Sequence, residues 1–301
     1  MKRRMRSMLM VAAAAVMLAA AACDEENTGA PDGDTSVDTP VDTSDVPAEG
    51  DAPPPACQED YSPLAPEMKM VYFDLQAPTR LNNETLENIM LEGFANGDFI
   101  WLLDFDGVDD GSTDTDGAMH LFTGSGKLSG TSTLADKCFE LMNDAQWPNA
   151  EADMAISGDA LSWPAAEPKI DITIPVFQTN PDTGVKNLML ELPLKQVTID
   201  SGSFNADRTA IGLSTGCAGN GGVLKGMITV EDAKLVVIEE MGLSLCGLLS
   251  GDRGSDMNSA DDDCLRPIAE WSEQPDEELD GLPAFSMQAC FSAEAVTIVG
   301  R

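Results

Sequence analysis

Two stretches of strict alternation limit what this chain can fold into. Ile170, Ile172, Ile174 and Val176 alternate with Asp171, Thr173, Pro175 and Phe177, and Leu188, Leu190, Leu192 and Leu194 alternate with Met189, Glu191, Pro193 and Lys195. A period of two puts each apolar set on one face of an extended strand, whereas a helix would scatter it around its surface. Asn180, Pro181, Asp182 and Gly184 between them carry turn chemistry, so the two runs predict a β-hairpin. Pro175 and Pro193 cannot donate to a ladder and belong at an edge or a bulge.

Further strands are expected over 70–75, 99–105, 119–122, 197–204, 223–229 and 295–299. Two segments read as helices. Over 83–96, Leu86, Ile89, Met90 and Phe94 share a face and Asn96-Gly97 forms a stop; from Thr229, a capping residue with an acid three positions on, Val230, Ala233, Val237, Met241 and Leu245 recur at helical spacing. Each is expected to pack over a sheet. The fold class is therefore mainly β: an antiparallel β-sandwich-like domain with one or two packed helices.

The chain opens in another style. Lys2, Arg3, Arg4 and Arg6 precede an uncharged apolar run over 8–22 that ends Ala20-Ala21-Ala22-Cys23. A basic start, an apolar stretch and small residues at its end have the layout of an export signal, and the run is shorter than the about 20 residues a spanning helix needs. It resembles the lipobox of bacterial lipoproteins, over residues 1–23 only. That resemblance implies cleavage of the signal peptide 1–22, acylation of the Cys23 sulfur by palmitate-type chains, and a mature protein anchored by lipid to an envelope membrane, periplasmic or at the cell surface. The family favours Leu three residues before the cysteine; here Ala20 stands there, with Leu18 two residues further back. Asp24 resembles the signal that retains lipoproteins at the inner membrane of enteric bacteria, a rule other lineages do not follow, so inner and outer membrane both stay open.

Residues 23–56 are Asp-, Thr-, Pro-, Ser- and Ala-rich and hold no Lys, Arg or aromatic side chain. Such a stretch cannot bury a core, so it is expected to be a disordered acidic tether with the lipidated cysteine at its head. As a flexible coil it would reach about 30 Å, and further under its own charge repulsion. Residues 57–301 then form a single disulfide-bearing β-rich domain, long enough for a sizeable core.

Cysteine arithmetic fits this layout. Of seven cysteines, assigning Cys23 to lipid leaves Cys57, Cys138, Cys217, Cys246, Cys264 and Cys290, an even set suited to three disulfides in an oxidising compartment. Six cysteines allow 15 connectivities. Cys246 with Cys264 is the pair favoured by spacing, closing a short loop rich in Gly, Ser and Asp.

Charge removes whole classes of partner. The formal charge is −35, and loss of the four basic residues of the leader makes the mature chain more negative still. Nucleic acid is excluded and phosphate-rich ligands are disfavoured, while cations, neutral glycans and envelope proteins stay open. Surface acids that keep an exposed protein in solution explain much of this charge by themselves.

Catalytic signatures are incomplete. Gly212, Ser214 and Gly216 spell Gly-x-Ser-x-Gly, but a glycine-rich loop follows where the hydrolase elbow needs a helix, and the one histidine, His120, lies upstream instead of downstream. No Cys-x-x-Cys pair offers a zinc site. Paired carboxylates could hydrolyse a glycosidic bond, yet with 52 acids the sequence nominates no pair.

Calcium chemistry is better represented. Asp104, Asp106, Asp109, Asp110, Asp114 and Asp116 fall within a short segment bent by Gly107, Gly111 and Gly117. Hard cations take several converging oxygens at about 2.3 to 2.6 Å, and the segment resembles the Asp-rich loops of extracellular calcium-binding modules. It is no EF-hand, since Thr123 stands where the bidentate Glu belongs. The segment has two readings, a solvated acidic loop between two strands and a loop ordered by weak calcium binding. Two functions follow from the whole: a noncatalytic binding or adhesion module on a membrane tether, or a calcium-supported glycan-processing or other hydrolytic enzyme. A cleft gathering carboxylates beside Trp101, Trp147, Trp163 or Trp271 would favour the second, and core packing of those tryptophans the first.

Overall fold

The computed structural model describes residue 57 and residues 61–108, 117–142, 144–180, 182–212, 221–238, 241–253 and 263–300. Residues 1–56, over which the sequence reads as a leader, Cys23 and an acidic tether, lie outside them. The described residues are mainly β with three α-helices, as the alternation predicts.

Strand β1 (Glu67–Ala77) leads through helix α1 (Glu84–Asn96) to β2 (Trp101–Asp106) and β3 (Ala118–Leu128). The α1 boundaries come from the sequence as expected: Asn83 Oδ1 accepts the Leu86 N–H at 3.1 Å, and Gly97 ends the helix at a φ of 73°. Leu86, Met90 and Phe94 are its buried face. Gly93 is needed where it is, because a Cβ there would meet Phe99 Cβ at 2.9 Å.

Next come β4 (Cys138–Leu141), β5 (Ala150–Ser157), β6 (Ala160–Ser162), β7 (Ile170–Thr179) and β8 (Lys186–Ser203). The expected hairpin is β7 with the first part of β8. The segment 197–204 is not a separate strand: β8 runs on through it. No turn residue stands between Lys195 and Val197, and the chain instead bends at Gln196, whose φ of 49° accompanies a register shift. β8 pairs with β7 from Lys186 to Val197, with β10 from Lys195 to Ser201 and with β6 at Gly202 and Ser203, so the two sets of pairings overlap at the bend.

The remaining elements are β9 (Ala210–Ile211), β10 (Gly222–Thr229), α2 (Val230–Leu235), β11 (Val237–Ile238), β12 (Leu243–Ser244), α3 (Leu245–Ser250), β13 (Glu277–Leu279), β14 (Leu282–Ala295) and β15 (Thr297–Val299). Thr229 caps α2 as expected, its Oγ1 accepting the Asp232 N–H at 3.0 Å. The helix does not continue to Leu245. It stops at Leu235, where Val236, Val237 and Ile238 form a β-branched run that turns extended and pairs with β12.

Eight antiparallel strands lie side by side in the order β3, β2, β1, β14, β10, β8, β6, β5, and β5 pairs back onto β3. The facing layers of the expected sandwich thus belong to one sheet that closes on itself. Closure removes the exposed ladder edges of an open sheet. Phe73, Trp101, Phe105, Phe285 and Phe291 fill the interior. Outside it, β4 and the parallel β15 cover a smaller cluster built on Ile100, Leu102, Phe139 and Ile298.

Cys57 is bonded to Cys138 and Cys246 to Cys264, the second being the pair favoured from spacing. Cys290 is also disulfide-bonded; its partner and Cys217 lie outside the described residues.

Candidate functional site

An open groove of about 580 Å³ lies on the outer face of β8, β10 and β14. Alternation decides what lines it. On β8, Val197 and Ile199 point into the core, which leaves Thr198 and Asp200 facing out; on β14, Phe285 and Met287 are buried, which leaves Ser286 and Gln288. Lys225 of β10 stands between them, opposite Thr198 on one side and Gln288 on the other. The floor is therefore a polar row crossing three neighbouring strands, about 4.8 Å apart.

Charge in the groove is nearly balanced. Lys225 Nζ lies 2.8 Å from Asp200 Oδ2, and Lys169, Glu167 and Glu277 stand on the walls. Ser286 is tied to Asp276, donating its N–H at 2.7 Å and its hydroxyl to the same carboxylate. Gln288 donates to Gln76 Oε1 at 3.0 Å and keeps its own carbonyl oxygen available.

One wall is the β6–β7 connection, which begins at Trp163 and is turned by a Glu167 N–H to Pro164 carbonyl bond of 3.1 Å. Trp163 is half-buried and lines both the groove and a cavity of about 10 Å³ inside the closed sheet. Its Nε1 is buried without a hydrogen-bond partner among the described residues. The other tryptophans are core. Trp101 donates to Thr123 Oγ1 at 2.7 Å, Trp147 to Glu191 Oε1 at 2.7 Å, and Trp271 to the Arg266 carbonyl at 2.9 Å.

The sequence-based site residues fall elsewhere. Asp104 and Asp106 sit on β2, facing away from the core residues Leu103 and Phe105; Asp104 is fully buried and Asp106 accepts the Gly107 N–H at 2.9 Å. Asp109, Asp110, Asp114 and Asp116 lie outside the described residues. Among the described residues no group of three or more His, Cys, Asp and Glu side chains is placed to hold a metal ion. His120, on the outer face between β2 and β5, lies 2.8 Å from Asp153 Oδ1 and 3.6 Å from Glu151 Oε2, far in sequence from any groove residue. Ser214 is outside the described residues, and the segment after it leads at Gly222 into a strand, not the helix a nucleophile elbow needs.

Sequence reasoning missed the groove because its floor residues come from three strands that meet only in the fold. Part of the signal was present: over 285–294 of β14, Phe, Met, Ala, Phe and Ala alternate with Ser, Gln, Cys, Ser and Glu. No helix among the described residues is long and apolar enough to cross a membrane. No protein-family model, no curated protein and no solved structure matches this chain.

Proposed function

We propose that this chain is a lipid-tethered envelope protein whose folded part is a noncatalytic binding module, with the groove across β8, β10 and β14 as its ligand site. The observation that carries the reading is the composition of that groove. Its floor offers hydroxyl, amide and ammonium groups in a row, and Asp200 is held by Lys225. Such a surface can hydrogen-bond a ligand along its length. A hydrolytic site would need a positioned acid and base, and Asp200 is occupied by its ion pair.

The tether reading rests on the basic and apolar leader, on Cys23 and on the acidic segment 24–56. Two or more acyl chains on Cys23 would hold the protein at a membrane, each buried CH₂ adding about 0.8 kcal/mol, while the tether lets the domain stand off the surface. The test is to express the full precursor, recover the mature chain from the membrane, and record the Trp163 indole resonance with purified envelope polymers. A shift of that signal without turnover of the polymer supports the reading. Release of product, or no perturbation by any polymer, contradicts it.

A further inference from the structure

We propose that the groove takes a neutral oligosaccharide, its pyranose rings laid along the β8–β10–β14 face and packed against Trp163; this rests on the reading of the groove as the ligand site. Charge selects against the alternatives. A chain of formal charge −35 repels polyanions, and its many other acids attract cations everywhere, so neither is directed to this place. In the groove Lys169 and Lys225 stand among Glu167, Asp200 and Glu277, leaving little net charge. A neutral ligand gains hydrogen bonds there and loses little by leaving bulk water.

Geometry narrows the class. Thr198, Lys225 and Gln288 face outward on adjacent strands, and their spacing of about 4.8 Å is close to the separation of hydroxyls across one pyranose ring. Together they offer ammonium and hydroxyl donors and hydroxyl and amide acceptors, which suits groups that both give and take a proton. An apolar ligand would strand these groups. Trp163 supplies the other half of sugar recognition. It is the one tryptophan of four that reaches the groove, and an indole surface packs against the C–H face of a pyranose while Met227 adds apolar floor. Because the groove is open and not a closed pocket, a chain can lie across it.

Neutral pyranose chains come from two sources, hexose polysaccharides outside the cell and the N-acetylated amino-sugar chain of the wall, and the probes separate them. The mature full-length chain, labelled with ¹⁵N, is titrated with cellohexaose, maltohexaose and the hexamer of N-acetylglucosamine, following the Trp163 indole and Gln288 amide signals. At least one hexamer is expected to move both signals at about millimolar concentration or below. Trp163→Ala is expected to weaken binding about tenfold or more. Gln288→Ala, which leaves the core packing in place, should weaken binding while the melting temperature stays put, and it carries the test if Trp163→Ala does not fold. Movement by the acetylated hexamer alone assigns the wall chain, and by the others alone a hexose polymer. The proposal is overturned if no hexamer moves either signal, or if both variants bind as the parent does. A lysine hexapeptide that moves the two signals when no sugar does would leave the groove a ligand site but not a sugar site; silence from every probe would remove both readings.

Discussion

Gln196 donates its backbone N–H to Asp171 Oδ1 at 2.9 Å, and this contact braces the register shift in the β7–β8 ladder. The bend holds Gln196 at a φ of 49°, a left-handed conformation that costs most side chains about 1 kcal/mol. β-Branched side chains tolerate it least. Gln196→Val is therefore expected to destabilise by about 1–2 kcal/mol and Asp171→Ala by about 1 kcal/mol, while Gln196→Gly stays within about 0.5 kcal/mol of the parent. Urea unfolding with a constant slope is the measurement.

Around the second disulfide a glycine substitution should act against the usual sign. Asp263, buried beside Cys264, accepts the Ser244 N–H at 2.6 Å and its hydroxyl at 3.0 Å, and Ser244 Oγ caps α3 by accepting the Gly247 N–H at 2.9 Å. A Cβ on Gly247 would press into the Asp263 carboxylate. Gly→Ala in a helix ordinarily stabilises by about 0.4–1 kcal/mol, so a fall in melting temperature for Gly247→Ala is the distinguishing outcome. Replacing Cys246 and Cys264 together by Ser should cost about 3 kcal/mol through the reopened loop.

Alkaline titration offers a third check, because Tyr61 and Tyr72 are the chain's two tyrosines. Burial pushes the Tyr61 phenol up to about 12, with Arg208 pulling it down and Asp207 adding to the rise; burial also raises Tyr72. A raised folded value means that the contribution of Tyr61 to stability is complete below its unfolded pKa of about 10 and is lost as pH climbs towards about 12. Phenolate absorbance should therefore develop above pH 10. Tyr61→Phe should delete the component near 12 and flatten the alkaline loss of stability; a single step at 10 in the parent would contradict the burial.

Calcium is tested by heating. If the aspartates from Asp104 to Asp116 bind the ion, millimolar calcium should raise the melting temperature, since a ligand bound only to the native state stabilises it by mass action. Asp106→Ala with Asp114→Ala should abolish the rise. An unchanged melting temperature in the parent protein would dismiss the site.

What the sequence made legible follows the physics of its patterns. The β7–β8 hairpin was readable because Ile, Val and Leu alternate without interruption, and α1 because Asn83 and Gly97 mark both ends. Strand β14 alternates as strictly, but Ala and Ser carry much of its pattern and their weak hydropathy hid a central strand. The helix from Thr229 was overextended because Val237 and Leu245 keep a helical spacing by coincidence while the β-branched run 236–238 prefers to extend. Closure of the sheet could not be read, since it depends on β3 pairing with both β2 and β5. The groove was hidden for a related reason: Thr198, Lys225 and Gln288 become neighbours only through strand pairing, and of the groove residues Trp163 alone stands out in the sequence.

The central claim, a binding module held at a membrane by lipid, meets its most direct test at the mature N-terminus. The chain is recovered from the membrane fraction of cells making the full precursor, and its N-terminal peptide is weighed by mass spectrometry. The account predicts a peptide that begins at Cys23 and carries acyl chains. An unmodified Cys23, or a soluble chain that begins elsewhere, would contradict it.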